Sequence, residues 1–488
     1  MHCRVEPFFG MSVDLPWGQG ARMAKARNTK AKSGAEAISD AGDSRSPLDK
    51  RPRKQSLRRV LAFLLAIVIL VEAVYIGRWV QVRWSLTQAS RLIEEMEYER
   101  AIEQLAKAAR WSPENAEVQL QLAKTYRHAN KSREFDVHLK EAKRLGADPK
   151  QVRHENELMI AQSGFFDTDR GNLFDVIDGG AATDEEATDI YDAMARGYLA
   201  AYRLGDALRC LDYWINWNPD TVLGHFHRAD IHYRMGNLRN SMQDYEYVLG
   251  QVPNHYETNM RVGRVLQDSN AIDRAVKYFE KARQLKPDSV DATLTLAECD
   301  LLLNNQERAQ DLAKELLEEK LTDYQRAFAL ELLGRIDLRQ GNFVDAVKYL
   351  EEAVELAPED SEITYTMGRV LRSLGETDRA QYYIDYSQKQ KELDLRVRDL
   401  SSDLIDQPEN MDYRYELASI LWQRRLYEPA SRWLTTILAI DPEHEPSHRL
   451  ISEWYAMTGK PELSRKHAEK AMLLSTRPRD SGENPSGG

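Results

Sequence analysis

The sequence predicts an all-α protein: a right-handed α-solenoid of about ten helix pairs, preceded by one transmembrane helix and a disordered basic tail. Three observations predict it. Twelve apolar residues, VLAFLLAIVILV, run without interruption from Val60 to Val71. Small residues and prolines recur with a period of 34 from about residue 82 onward. Charge is split along the chain: residues 1–59 hold 13 Lys/Arg against 6 Asp/Glu, yet all 488 residues together carry −11.

Composition narrows the functional classes first. Hydrophobic residues make up 42% and charged residues 30%, enough for a packed core. The mean hydropathy of −0.59 excludes a polytopic membrane protein. Three cysteines, Cys3, Cys210 and Cys299, with no Cys-x-x-Cys pair, exclude a disulfide framework and a thiolate zinc site. Beyond residue 59 the chain is strongly acidic, which argues against nucleic acid as a partner.

Residues 1–59 have no apolar period and read as a disordered basic tail, and residues 476–488 read as a disordered tail. Residues 60–80 read as a transmembrane helix acting as a signal anchor. The 18 residues from Val60 to Gly77 span roughly 27 Å as a helix, close to a hydrocarbon core. About a dozen Leu, Ile, Val and Phe contribute roughly −0.3 to −0.6 kcal/mol each, against roughly +3 for Glu72 if ionised, so insertion wins. Tyr75, Trp79 and Trp84 suit an interfacial belt, and Arg78 can snorkel. Six basic residues from Lys50 to Arg59 precede the run, and Arg78, Arg83 and Arg91 follow it. That bias predicts a cytoplasmic N-terminus with the solenoid on the far, periplasm-like side. The competing reading is a cleaved signal peptide, with Val71-Glu72-Ala73 as the cleavage site.

Beyond the span, small residues recur at Ala89, Ala123, Ala229, Gly263, Ala297, Gly334, Gly368, Ala418 and Ser452. A second series, twelve residues later, runs Ser241, Ala275, Ala309, Ala346, Ala380, Ala430 and Ser464. Antiparallel helices approach closely only where neither carries a large side chain, so these mark crossings. Ala229 with Ser241, Gly263 with Ala275, Gly334 with Ala346, Gly368 with Ala380, and Ala418 with Ala430 are the predicted crossing pairs. Gly236, Asn270, Asn304, Gly341, Gly375 and Gly459 fall at the turns within pairs, and Pro113, Pro253, Pro287, Pro358, Pro408 and Pro442 close the units.

This pattern resembles the tetratricopeptide repeat, with small residues at positions 8 and 20 and proline at 32. The best unit is Ala327–Asp360, which matches through Leu333, Gly334, Gly341, Phe343, Ala346, Leu350, Ala353 and Pro358. The resemblance covers residues 82–475. It divides them into repeat units at 82–149, degenerate units at 150–221, core units at 222–394, an extended helix or connector at 395–410, and C-terminal units at 411–475. Two departures are evident. The unit around Tyr198–Pro219 reads as out of phase, with Gly205 as its turn, and Ala380 to Ala430 spans 50 residues rather than 34.

Candidate chemistry is sparse. His444-Glu445-Pro446-Ser447-His448 matches the His-Glu-x-x-His string of zinc peptidases, but Pro446 at a repeat boundary places His444 in the turn before a helix. His225, His227 and His232 read as packed histidines. Asp167 and Asp169 faintly match a calcium loop, but Gly171 is one place early and Asp178 stands at the final position. The reading is therefore of a protein that is not an enzyme, with no cofactor, no metal and no small-molecule substrate.

The resemblance implies a concave groove for a peptide or partner helix. Carried over by repeat position, its lining is Phe226, Tyr233, Arg264, Arg335, Arg339, Tyr365, Arg369, Arg372, Tyr415 and Trp422. The Lys/Arg and Asn clamp that chaperone-binding members use for a terminal carboxylate is missing, since position 5 carries Phe226, Met260, Leu294, Glu331, Tyr365 and Tyr415. An aromatic and arginine lining suits an extended peptide with apolar and acidic side chains. The expected function is a membrane-tethered protein-interaction scaffold or adaptor in envelope assembly, maturation or secretion, holding the bilayer through residues 60–80. The alternative is an import receptor of the mitochondrial outer-membrane type, with a metallopeptidase using His444 and His448 a distant third.

Overall fold

The computed structural model describes residues 53–164 and 183–476, in which 21 helices and no strand occur. The tail readings for residues 1–52 and 477–488, and the calcium-like segment from Asp167 to Asp178, lie outside the described residues. The chain forms two compact units, which divide after Asp148.

The smaller unit contains α1 (Arg53–Glu94), α2 (Tyr98–Trp111), α3 (Ala116–His128) and α4 (Ser132–Arg144). The helix does not end with the apolar segment at residue 80. One helix of 42 residues, about 63 Å long, carries it directly into the first repeat, because nothing between Gly77 and Glu94 breaks a helix. From Leu61 to Val80 its large side chains are exposed, and the stretch is long and apolar enough to cross a membrane. From Val82 the same helix changes role: Val82, Ser85 and Ala89 are buried, and the core they join holds Ala101, Leu105, Ala108, Val118 and Leu122. Arg78 Nε donates to the carbonyl of Trp111, 2.8 Å away, satisfying a free acceptor at the C-terminus of α2.

The larger unit begins with α5 (Pro149–Gln162), α6 (Asp184–Ala200), α7 (Leu204–Trp217), α8 (Val222–Arg234) and α9 (Leu238–Gln251). It continues through α10 (Tyr256–Asp268), α11 (Ile272–Leu285), α12 (Val290–Leu302), α13 (Gln306–Leu317), α14 (Asp323–Gln340) and α15 (Phe343–Leu356). The last helices are α16 (Ser361–Ser373), α17 (Thr377–Asp406), α18 (Met411–Gln423), α19 (Tyr427–Ile440), α20 (Glu445–Met457) and α21 (Pro461–Ser475). Where the repeat spacing stretches to 50, α17 runs unbroken for 30 residues.

Two local rules repeat along both units. The residue ending the turn within a pair is left-handed: Met96, Asn130, Tyr202, Gly236, Asn270, Asn304, Gly341, Gly375, Arg425 and Gly459 all have φ between 55° and 83°. After every closing proline but Pro253, the residue two places on caps the next helix with its side chain; His255 instead pairs with Thr258 Oγ1. Asn115, Thr221, Ser289, Asp360, Asn410 and His444 each accept a backbone N–H from the first turn that follows.

This register corrects the out-of-phase reading of the Tyr198–Pro219 unit. Its left-handed residue is Tyr202, 34 before Gly236, and Gly205 lies inside α7. Ala195 and Ala207 are buried at the two small positions, 34 before Ala229 and Ser241. A tyrosine in a glycine's place concealed a regular unit.

All ten predicted crossing residues are buried. At Gly368 a Cβ would come within 2.6 Å of Ile384 and 3.1 Å of the Ala380 carbonyl, as the pairing with Ala380 requires. Gly334 is corrected: its closest neighbour is Leu350, at 2.7 Å from a Cβ, rather than Ala346 one turn earlier. Gly263 likewise receives the ring of Phe279, 2.5 Å from where a Cβ would stand.

Candidate peptide-binding site

The ten residues expected to line a groove do not form one patch. Phe226 packs edge-to-face against Tyr245 and His255, with ring centroids 6.0 and 5.5 Å away, and rests on the core around α8–α14. Tyr233 donates its hydroxyl proton to Asp268 at 2.7 Å. Tyr415 lies edge-on to His444, Trp422 edge-on to Tyr427, and both pack on the core of the last repeats. Arg264 is half-buried. These five sit mostly within repeat interfaces, because a large side chain on a first helix also wedges against the next pair.

Arg335, Arg339, Tyr365, Arg369 and Arg372 behave differently. They come from the last two turns of α14 and from α16, where spacings of 3 and 4 place residues on one helix face. Arg339 Nη1 donates to the Leu301 carbonyl at 2.7 Å, so it reaches the negative end of α12. Partial burial, and then the guanidinium groups of Arg335 and Arg369 beside it, push the Arg339 pKa down. Arg335 lies 3.6 Å from the wholly buried Glu331, whose other oxygen accepts from Thr366 Oγ1 at 3.2 Å. Arg369 sits over the face of Tyr365, 6.0 Å from the ring centroid, and that tyrosine is 45% exposed. Among the described residues, Arg339, Arg369 and Arg372 have no carboxylate within ion-pair distance.

A concentration of positive charge on an acidic protein, beside an open aromatic face, can hold carboxylates or phosphates through charge-assisted hydrogen bonds. The family register located the arginines but missed Glu331 and Thr366, which hold Arg335 in place. A carboxylate on an inward face, three residues before the small Gly334, was the available signal.

The remaining candidate chemistry is dispersed. His444 caps α20, and the His448 ring nitrogens face His467 Nδ1 at 2.8 Å and the Pro442 carbonyl at 3.0 Å. His225 binds Asp244 at 2.7 Å while His227 binds Asp192 at 2.9 Å, so these two histidines do not converge. Cys210 and Cys299 are buried free thiols whose pKa is pushed to about 12 by burial. Among the described residues, no group of three or more His, Cys, Asp or Glu is arranged to hold a metal ion.

Comparison with known proteins adds family evidence. Residues 266–332 and 337–404 match the model of the tetratricopeptide repeat. The human mitochondrial import receptor subunit TOM70 is 22% identical over 211 residues, covering 42% of this chain and 34% of the receptor. Human DnaJ homolog subfamily C member 3 is 21% identical over 252 residues, covering 52% of this chain and 42% of that protein. The chain thus spans less than half the length of either relative. Among solved structures, that of PilW, described as a widely conserved type IV pilus biogenesis factor, is 19% identical with a TM-score of 0.36, covering 41% of this chain and 91% of that one. Family model, helix-pair register and all-α architecture agree over the matched segment: residues 266–332 and 337–404 are tetratricopeptide repeats.

Proposed function

We propose that this protein is a membrane-tethered adaptor that binds an extended, acidic segment of a partner protein along α14 and α16, and that it acts by binding rather than by catalysis. One observation carries the reading: Arg339, Arg369 and Arg372 stand without carboxylate partners beside the open ring of Tyr365. Acidic side chains of the partner would engage the guanidinium groups, and its apolar residues would rest on the tyrosine. Tethering is supported by the exposed apolar face from Leu61 to Val80 and by the bond from Arg78 to Trp111. That bond ties Trp111, half of it exposed, to the end of the apolar stretch, where aromatic rings favour a membrane interface.

The test uses labelled peptides alternating Glu with Leu or Phe, titrated against the full chain in detergent and read by fluorescence anisotropy. Lys-containing counterparts should not bind. Replacing Arg339, Arg369 and Arg372 together by Ala should weaken binding at least roughly tenfold with helical content unchanged. Equal binding by the triple variant would remove this face from consideration.

The side of the membrane rests on the basic residues before the span. A reporter active only outside the cytoplasm, fused after residue 475, is expected to be active. Activity confined to a cytoplasmic reporter would instead favour the receptor reading, which the partial likeness to a mitochondrial import receptor supports.

A further inference from the structure

Tyr202 occupies the turn position that Gly236, Asn270 and Asn304 occupy in the next three pairs, with φ at 55°. A bulky residue rarely adopts that left-handed conformation, and where it does something else holds it there. Its ring is only 3% exposed and lies 4.6 Å from that of Trp433 on α19, tilted by 56°. Its hydroxyl donates to the Ser401 carbonyl of α17 at 3.2 Å, 199 residues along the chain.

The neighbouring residue makes a second bond across the same junction. Arg414 Nη2 donates to the Ala201 carbonyl at 2.8 Å, 213 residues away. Its Nε donates to the Pro408 carbonyl at 2.7 Å and Nη1 to Thr436 Oγ1 at 2.6 Å. The guanidinium lies over the Trp433 ring, 5.6 Å from its centroid. Arg414 is 1% exposed, and among the described residues no carboxylate lies within ion-pair distance of it, Glu409 acting only from further away. A buried arginine held only by carbonyls, a hydroxyl and an indole needs every one of those acceptors. One continuous core therefore joins Ile190, Leu204, Leu211 and Trp214 to Leu400, Leu417, Trp433 and Leu434.

We propose that Tyr202, Arg414 and Trp433 form a clasp that closes the repeats from α6 to α19 into one circuit. In an open solenoid each unit is stabilised by its immediate neighbours, and the end units fray first. Closure makes α6–α7 and α18–α19 neighbours as well, so losing one loosens the other. The left-handed turn, which this position shares with the other pairs, aims the tyrosine ring across the junction.

Hydrogen exchange on the full chain, read by mass spectrometry, tests this with Tyr202→Gly. Glycine adopts the left-handed turn without strain, so the substitution removes the ring and relieves the backbone together. The clasp predicts exchange at least tenfold faster in both α6–α7 and α17–α19, with α10–α13 unchanged. Nitroxide labels on Arg209→Cys and Arg432→Cys should report a longer, broader distance distribution in the glycine variant. Arg414→Met should reproduce the paired loosening from the opposite side, and Tyr202→Phe, which keeps the ring, should remain closed. Faster exchange confined to residues near 202, or unchanged or slower exchange throughout, would overturn the proposal. If Tyr202→Gly does not fold, the Arg414→Met and Tyr202→Phe pair decides in the same way.

Discussion

Between residues 256 and 373, each helix pair packs principally on the adjoining pairs, and one small residue on each first helix decides how closely its partner lies. At residues 184–217 and 411–440 the same small residues are present, as Ala195, Ala207, Ala418 and Ala430, all buried. Yet there the decisive contacts reach across 199 and 213 residues. The difference teaches that a 34-residue period encodes the geometry of a helix pair and its next neighbour. It carries no information on where a run of pairs meets itself, which depends on a few large side chains at positions the period leaves free.

Acid should separate the two regions most strongly. His255 sits in the turn before α10, buried, with Nδ1 2.7 Å from Thr258 Oγ1, and burial pushes its pKa down to about 4. The folded protein keeps the ring neutral, whereas the unfolded chain protonates it below the ordinary value of about 6.5. The stabilisation is thus fully present above that value and is lost as pH falls through about 4, by about 2–3 kcal/mol near pH 4.5. Urea unfolding at pH 7 and 4.5 should show this loss, with exchange rising first around α9–α11, and His255→Gln should flatten it. The clasp should stay closed over that range. The Tyr202 phenol is pushed above 10 by burial and Arg414 retains its charge with a pKa near 10, so neither titrates there.

Overpacking a crossing has an effect of similar size. Gly263→Leu drives a side chain into the Phe279 ring and should cost about 3 kcal/mol, and Gly334→Leu, facing the more pliant Leu350, about 2. Both should loosen only neighbouring pairs in hydrogen exchange, in contrast to the paired, distant response expected at the clasp. An unchanged melting curve for Gly263→Leu would mean that the helices do not cross there. Smallest of all is Asn270→Gly. In the middle of the array the left-handed residue serves only its own turn, so thermal unfolding should shift by no more than about 0.5 kcal/mol.

Much of the architecture is legible because its causes are local. The six turn residues at Gly236, Asn270, Asn304, Gly341, Gly375 and Gly459 are left-handed, since only residues tolerant of positive φ recur there. His444 stands two residues after a closing proline and caps α20, where Asn, Ser, Thr or Asp stands in most other units. Register points to Arg369 and Arg372 of α16, which stand exposed, whereas Arg414 of α18 is buried, so charge alone does not decide exposure. Phe226, Tyr415 and Trp422 rest partly on repeat interfaces, because a register position that faces a groove can equally face the next pair. Tyr202 hid a regular unit for a related reason: composition marks a turn by what usually tolerates it, and this turn is held by a partner far along the chain. The continuity of α1 is legible only as an absence of breakers, which hydropathy does not report.

Closure also sets an order in time. The ribosome adds roughly 5–20 residues per second, so Trp433 follows Tyr202 by roughly 10–50 s. Through that interval the apolar side chains of Ile190, Tyr191, Leu211 and Trp214 lack the far half of the core they join. Each intervening pair can form as it is synthesised, since its contacts are near in sequence, and bringing the ends together adds only about 0.6 kcal/mol for each doubling of the loop. Waiting, rather than entropy, is then the hazard, and a chain arrested before residue 433 would present an apolar surface that the finished protein never exposes.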